Sequence, residues 1–342
     1  MRKYFVKLMV LIPVLLLATV FAVAANEPEL EPSFFIEYEN GDAVLRLTRT
    51  MGIFENKYDT EHIDIVSPQL VTVLDVDGNW VLINTWLGPK WINLDFTPPT
   101  LHLDNFIERF PNTAIFYQNI ETGFTYTWNA DSVFFGASLS KASYALYLYR
   151  RAERGEIDLD YEITLQRQDW HSGSGVILNR YEVGHKLTTR RLIELSLYQS
   201  DNIATMALRR VYGIEGYMRF IQELGANPNR VRDRIMNSDL TANEVGIFAR
   251  AIFDYIESDA AYSQAFKAAL INNQFPFQVS DYVMASKTGW TNPSAWHDMA
   301  IVYAPSPYIL VIMSRRGGWR VQDYQDFADI SLFFQEFNDR WF

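Results

Sequence analysis

Two regimes of hydrophobic patterning divide the chain. Across residues 33–96 the apolar positions come in short runs, broken every few residues by Gly, Pro, Asp or Asn, which predicts an all-β segment. Residues 71–74 (VTVL) read as a short strand, Asp77-Gly78 as a hairpin turn, residues 80–86 (WVLINTW) as a second strand, and Leu87-Gly88-Pro89 as a turn into Trp91-Ile92. Thr97-Pro98-Pro99-Thr100 reads as a stiff linker at residues 97–100, because proline fixes φ and opposes both helix and sheet.

From residue 101 the pattern changes. Residues 114–117 (AIFY) and 124–128 (FTYTW) form a predicted hairpin around Glu121-Thr122-Gly123, and a helix is predicted over 138–154. Thr188 and Thr189 offer an N-cap to a helix carrying Leu192, Leu195 and Leu197, and another helix starts at Asn202. Residues 300–303 and 308–313 read as two buried strands joined by 304–307, and Phe327, Ile330, Phe334 and Phe337 mark a last amphipathic helix. Strands come first and last with helices between them. They must meet in one sheet with helices on its faces, an α+β domain over 101–342.

Composition narrows the setting. The chain has 342 residues, 49% of them hydrophobic, enough for two folded units. A net charge of −11 argues against nucleic acid and anionic lipid as partners. Met1-Arg2-Lys3, the apolar run at 8–25 and the small residues Ala22-Val23-Ala24 make residues 1–25 a signal peptide or a membrane anchor, with the body outside the cytoplasm, secreted or held at the cell envelope. There is no cysteine, which excludes disulfides and thiolate chemistry, and the five histidines form no HExxH-like cluster, so neither a metal nor a cofactor is expected.

The stretch at 136–150, GASLSKASYALYLYR, crowds serines and a lysine onto the start of a helix. Residues three apart share a helix face, so Lys141 lies beside Ser138, while Ser140 and Ser143 point elsewhere. Ser138 then sits at a helix N-terminus, where free N–H groups favour negative charge. A nucleophile with its base fits that arrangement; so does an N-cap serine beside a solvated lysine, since about one Ser-x-x-Lys arises by chance in such a chain. Two further tripeptides shift the balance: Ser200-Asp201-Asn202 between two predicted helices, and Lys287-Thr288-Gly289 ending an edge strand at 281–289.

With these three motifs in this order, the chain resembles the class A β-lactamases and penicillin-binding proteins. The segments WNADSVFFGASLSKASYALYLYRRAERGEIDLDYEITL, LTTRRLIELSLYQSDNIATMALRRVYG and HDMAIVYAPSPYILVIM resemble that superfamily's nucleophile region, second-motif helices and closing hairpin, and Gly173-Ser-Gly175-Val-Ile177 its glycine loop. The resemblance spans 101–342 and implies a five-stranded antiparallel sheet with a helical lobe. Ahead of it, DGNWVLINTWLGPKWI, through Trp80, Thr85, Gly88 and Trp91, resembles the bacterial SH3-like domain, a small β-barrel over 26–96 that either binds cell-wall peptide or acts as a spacer.

The resemblance also implies roles. Ser138 attacks an amide carbonyl and becomes an acyl ester, and Lys141 takes its proton. Ser200 relays a proton to the leaving nitrogen, and Asn202 holds Lys141 and the substrate's amide. Lys287 and Thr288 receive a substrate carboxylate, Gly289 lets the ligand lie along the strand, and the N–H groups of Ser138 and Trp290 form an oxyanion hole. A lysine near 10.4 is a poor base at neutral pH, so desolvation and the neighbouring Lys287 must lower it.

One part departs from the family. Its deacylating glutamate belongs to a Glu-x-x-Leu-Asn stretch; the nearest match here is Asp233-Arg-Ile-Met-Asn237, where Asp233 is either a shortened base or an ordinary loop aspartate. Three functions stay open: a β-lactam hydrolase, a D-alanyl-D-alanine peptidase or transpeptidase that penicillin traps, or a non-catalytic protein binding peptidoglycan. Whether Trp290 and Trp296 narrow the pocket is open as well.

Overall fold

The computed structural model describes residues 36–39, 42–47, 51–59, 62–66, 69–77, 80–94, 103–104, 106–231, 238–292, 294–316 and 320–342. The chain separates into two compact units, residues 1–101 and 102–342. The predicted leader at 1–25 and the proline run at 97–100 lie outside the described residues.

The first unit is antiparallel throughout. Its strands are β1 (Ile36–Glu39), β2 (Asp42–Arg46), β3 (Met51–Phe54), β4 (Asp64–Val66), β5 (Leu70–Asp77), β6 (Trp80–Thr85) and β7 (Gly88–Asn93), in the spatial order β1-β2-β5-β6-β7-β3-β4. Leu45, Ile53, Val66, Val81, Ile83 and Ile92 form its core. The predicted hairpin is present, with Asp77 opposite Trp80, and Gly88 opens β7 with a left-handed φ of 84°. A closed barrel is not what the described strands form. β1 and β4 stand at the two ends of the order with no pairing between them among the described residues, because the sheet adds strands outward from β5–β7 at both sides.

The second unit is built on a five-stranded antiparallel sheet, order β14-β15-β16-β8-β9. It comprises β8 (Thr113–Asn119), β9 (Thr125–Trp128), β14 (Met284–Thr291), β15 (Ala295–Val302) and β16 (Tyr308–Ser314). Short pairs complete the strands: β10 (Phe134–Phe135) with β13 (Asp239–Leu240), and β11 (Glu162–Thr164) with β12 (Lys186–Thr188). Between them run α1 (Ser140–Glu153), α2 (Ile177–Arg180), α3 (Thr189–Tyr198), α4 (Asn202–Tyr212), α5 (Glu215–Glu223), α6 (Ala242–Ile256) and α7 (Ser263–Ile271), and α8 (Val321–Trp341) closes the chain.

The central strands read as unbroken apolar runs because both sheet faces are covered. Every residue of β15 and β16 is buried. Side chains alternate between two cores. Ala114, Phe116, Ile309, Val311 and Met313 join the helical lobe. Ile115, Tyr117, Leu310 and Ile312 meet Phe327, Ile330, Phe334 and Phe337 of α8.

The caps fall where short polar side chains meet the start of an apolar stripe. The Thr188 hydroxyl accepts from the Arg191 N–H at 3.2 Å, and Thr241 and Glu244 form a reciprocal capping box that starts α6. α1 is different: eleven of its side chains are buried, so it runs through the lobe rather than over it.

Candidate active site

Ser138 sits in a single 3-10 turn, Ala137–Leu139, directly ahead of α1. The pattern predicts a helix from 138, but the helix begins at Ser140. The chain enters it through Ala137, whose φ of 46° is left-handed and incompatible with a right-handed helix. No serine N-caps either element; the N-cap positions are Gly136 and Leu139, without a side-chain hydrogen bond. Ser140 is buried, and the Ser143 hydroxyl is engaged with the Ser140 carbonyl at 3.1 Å and the Tyr217 hydroxyl at 2.7 Å. Ser138 remains half-buried at an open cleft bordered by Phe135, Ala137, His171, Gly173, Asn202 and Trp290.

Lys141 is not a solvated lysine: its side chain is 1% exposed. Its Nζ donates to the Ser200 carbonyl at 2.6 Å, the Asn202 Oδ1 at 2.8 Å and the Ser200 Oγ at 3.2 Å. Lys287, 0% exposed, donates to the same Ser200 Oγ at 3.0 Å and to the Thr288 carbonyl at 2.8 Å. No carboxylate is among these acceptors, so neither charge has a bonded counter-ion. Desolvation first, and then the Lys287 charge, hold Lys141 well below its ordinary value, with Asp201 opposing from a distance. Desolvation also brings Lys287 down to about 7, against the pull of Asp298.

The middle residue of the second motif fixes the loop in front of it. Asp201 caps α4 by accepting from the Ala204 N–H at 2.9 Å, and its other oxygen accepts from Val176 N at 2.7 Å and Ile177 N at 2.9 Å. Asn202 adds bonds from its backbone to the Ser174 carbonyl at 3.0 Å and from Nδ2 to the Ser172 carbonyl at 2.9 Å. Gly175 is required here: its φ is 123°, and a Cβ would lie 2.2 Å from Asp201 Oδ2. Sequence reasoning missed Asp201, although its position just ahead of a helix was the available signal.

β14 is an edge strand, as predicted, and runs to Thr291. A Cβ on Gly289 would lie 2.8 Å from the Gly136 carbonyl and 3.0 Å from the Ser138 and Leu139 nitrogens. The glycine therefore admits the backbone of the Ser138 turn itself. Thr288 is buried, with Asp298 opposite it on β15. Asp298 accepts from the Phe277 N–H at 2.7 Å and the Gln278 N–H at 3.0 Å, and burial pushes it up to about 7. Trp290 borders the cleft, whereas Trp296 is 1% exposed and stacks on Phe277 at 4.0 Å, inside the α8 core. Asp233 lies outside the described residues. Among the described residues no group of three or more His, Asp or Glu side chains is placed to hold a metal.

The structure thus brings together five residues that the sequence analysis singles out, Ser138, Lys141, Ser200, Asn202 and Lys287, from three separate segments. With its sheet between α8 and a helical lobe, the second unit has the fold of the serine β-lactamases and penicillin-binding proteins. The profile of the Beta-lactamase enzyme family matches residues 100–332, and the chain belongs to that family. Among solved structures it is similar to a β-lactamase from Sphaerobacter thermophilus, at 21% identity over 69% of this chain and 96% of that one, with a TM-score of 0.61. It is also similar to a β-lactamase from Chitinophaga pinensis, at 19% over 70% and 98% with a TM-score of 0.60. A third similar structure is PBP-A, at 16% over 70% and 97% with a TM-score of 0.62. At these identities the likeness is one of fold. No curated protein sequence matches the chain.

Proposed function

We propose that the second unit is a serine hydrolase acylated at Ser138 by the amide of a β-lactam, which it then hydrolyses. The observation that carries this reading is the dry Lys141, a buried amine with neutral acceptors and a second cation close by. As a neutral amine it gives its two N–H bonds to the Ser200 carbonyl and Asn202 Oδ1, leaving a lone pair for a proton.

In this mechanism Lys141 takes the Ser138 hydroxyl proton as Oγ bonds to the carbonyl carbon. The oxyanion lies against the Ser138 and Trp290 N–H groups. When the C–N bond breaks, the leaving nitrogen takes the Ser200 hydroxyl proton, and Lys141 restores it across their 3.2 Å contact. Lys287 and Thr288 face the substrate carboxylate. Water then attacks the ester, its proton passing to a base, and the Ser138 hydroxyl is regenerated. Asp233 is the candidate for that base.

A second reading is a D-alanyl-D-alanine peptidase or transpeptidase on peptidoglycan, which penicillin would trap as a lasting ester. Two features favour it: between Ser200 and Lys287 the nearest match to the family's Glu-x-x-Leu-Asn is the imperfect stretch at Asp233, and an all-β unit precedes the domain. A PBP-A variant has been captured as an acyl-enzyme complex with penicillin G. In either reading the protein works outside the cytoplasm, secreted or held at the envelope by residues 1–25, with the N-terminal unit contacting wall peptide.

Time-resolved labelling with a fluorescent penicillin tests both. Label that appears and is released supports hydrolysis, and label that stays supports the trapped peptidase. No label on the wild type, or undiminished label on Ser138→Ala, overturns the assignment of Ser138.

A further inference from the structure

We propose that His297 is a positioning residue for the acylation step: its neutral ring, with the proton on Nε2, pins the backbone just upstream of Ser138 to the sheet. The inference rests on the reading of Ser138 as the acylated serine.

His297 is fully buried in β15, opposite Gly289 on one side and Met313 on the other. Directly opposed residues in an antiparallel pair point to the same face. The ring therefore stands beside the gap that Gly289 leaves for the Ser138 turn. Both ring nitrogens are engaged. The Ser314 N–H points at Nδ1 at 3.2 Å, and Nε2 lies 2.9 Å from the Phe135 carbonyl. A carbonyl can only accept and an N–H can only donate, so Nε2 carries the hydrogen and Nδ1 is bare. The packing thus fixes the tautomer, and a second ring proton would face the Ser314 N–H.

The pinned carbonyl belongs to the residue two before Ala137. Ala137 holds a left-handed φ that costs an alanine about 1 kcal/mol or more, so its flanks must be fixed for it to persist. The fixings converge on this short segment. The Gly136 N–H donates to the Ser238 carbonyl at 2.9 Å, Arg315 donates to the Val133 carbonyl at 3.2 Å, and the Arg315 guanidinium covers the Phe134 ring at 4.5 Å. His297 packs edge-on against the same Phe134 ring. Of these contacts, only the two from His297 tie the segment to the strand that pairs with Lys287-Thr288-Gly289. They link the serine to the β14–β15 register.

The test compares three variants by their acylation kinetics with a fluorescent penicillin. A glutamine amide reaches as far as Nε2 and can still donate to the Phe135 carbonyl. An asparagine amide reaches only as far as Nδ1, and phenylalanine offers neither bond. His297→Gln is expected to lose less than about fivefold in the first-order acylation rate. His297→Asn and His297→Phe should lose on the order of 10- to 100-fold, the scale of a displacement of about 1 Å, with the dissociation constant of the initial complex unchanged. Nitrogen-15 spectra at neutral pH should show a protonated Nε2 and a bare Nδ1. Equal loss in Gln and Asn, loss only in the initial binding, or a protonated Nδ1 overturns the proposal. A wild type that takes no label removes the reading of Ser138 and this inference with it, whereas label on a wild type whose Asn variant acylates equally fast removes this inference alone.

Discussion

Lys141 and Lys287 address one hydroxyl from two directions, at 3.2 Å and 3.0 Å from Ser200 Oγ. Two buried amines on one neutral oxygen cannot both hold a full charge cheaply, and desolvation pulls both below the ordinary lysine range.

Acylation should therefore carry an acid limb set by Lys141. The rate falls as pH drops through the value at which that amine protonates. Lys287→Ala removes the neighbouring cation, so Lys141 becomes easier to protonate and the limb moves to higher pH. Stopped-flow acylation across pH measures it; an unmoved limb would show that the two lysines are not coupled.

Stability should rise with pH above neutrality. Lys287 holds its proton up to about 7 in the folded protein and up to 10.5 when unfolded. Between those values the unfolded chain binds more protons, so stability grows with pH, by at most about 1.4 kcal/mol per pH unit for one group. Asp298 acts oppositely between 3.8 and about 7, where the folded state keeps a proton that the unfolded state has shed. Melting temperatures should climb from pH 7 to 9, and Lys287→Met should flatten that climb.

Asp298→Asn should weaken the hold on an anionic substrate at neutral pH. Asp298 is the group that raises Lys287, so its loss drives the lysine further toward the neutral form. The amide oxygen can still accept from the Phe277 and Gln278 N–H groups, so the fold should survive. The dissociation constant of the initial penicillin complex at pH 7 should rise roughly 3- to 10-fold, for a loss on the order of 1 kcal/mol, and recover at lower pH. A constant unchanged at both pH values would refute the coupling.

Gly289→Ala should damage catalysis and stability together. The new Cβ meets backbone at 2.8–3.0 Å, and backbone cannot swing aside as a side-chain tip can. The Ser138 turn must shift, at a cost of about 1–3 kcal/mol in stability and on the order of 10²-fold in acylation rate. Labelling rates and thermal melts of the variant measure both; a rate near the wild type's would mean the turn tolerates the displacement.

Much of this architecture is legible along the chain. The runs at 300–303 and 308–313 are apolar on both faces because both faces are covered, and Phe327, Ile330, Phe334 and Phe337 mark the stripe that α8 lays on the sheet. The helix start at 138 is where local reading fails: nothing in GASLSK announces the left-handed Ala137, which is held by contacts from Ser238, His297 and Arg315 far along the chain. Closure of the first unit's strands is not legible for a related reason, since turn signals fix neighbouring strands but not whether distant ends meet. His297 and Asp298 went unnoticed because a polar residue inside an apolar strand has no local mark of its partner.

Local stretches of the chain announce many of its elements, the Thr188 cap and three short polar motifs in a fixed order. All of these depend on neighbours within a few residues, where propensity and hydrogen-bond reach act. Long-range packing makes Lys141 dry, lets a lysine 87 residues beyond Ser200 share its hydroxyl, and sets which nitrogen of His297 bears the proton. Those properties come from excluded water and from backbone groups brought close by packing, and no local stretch of chain encodes them.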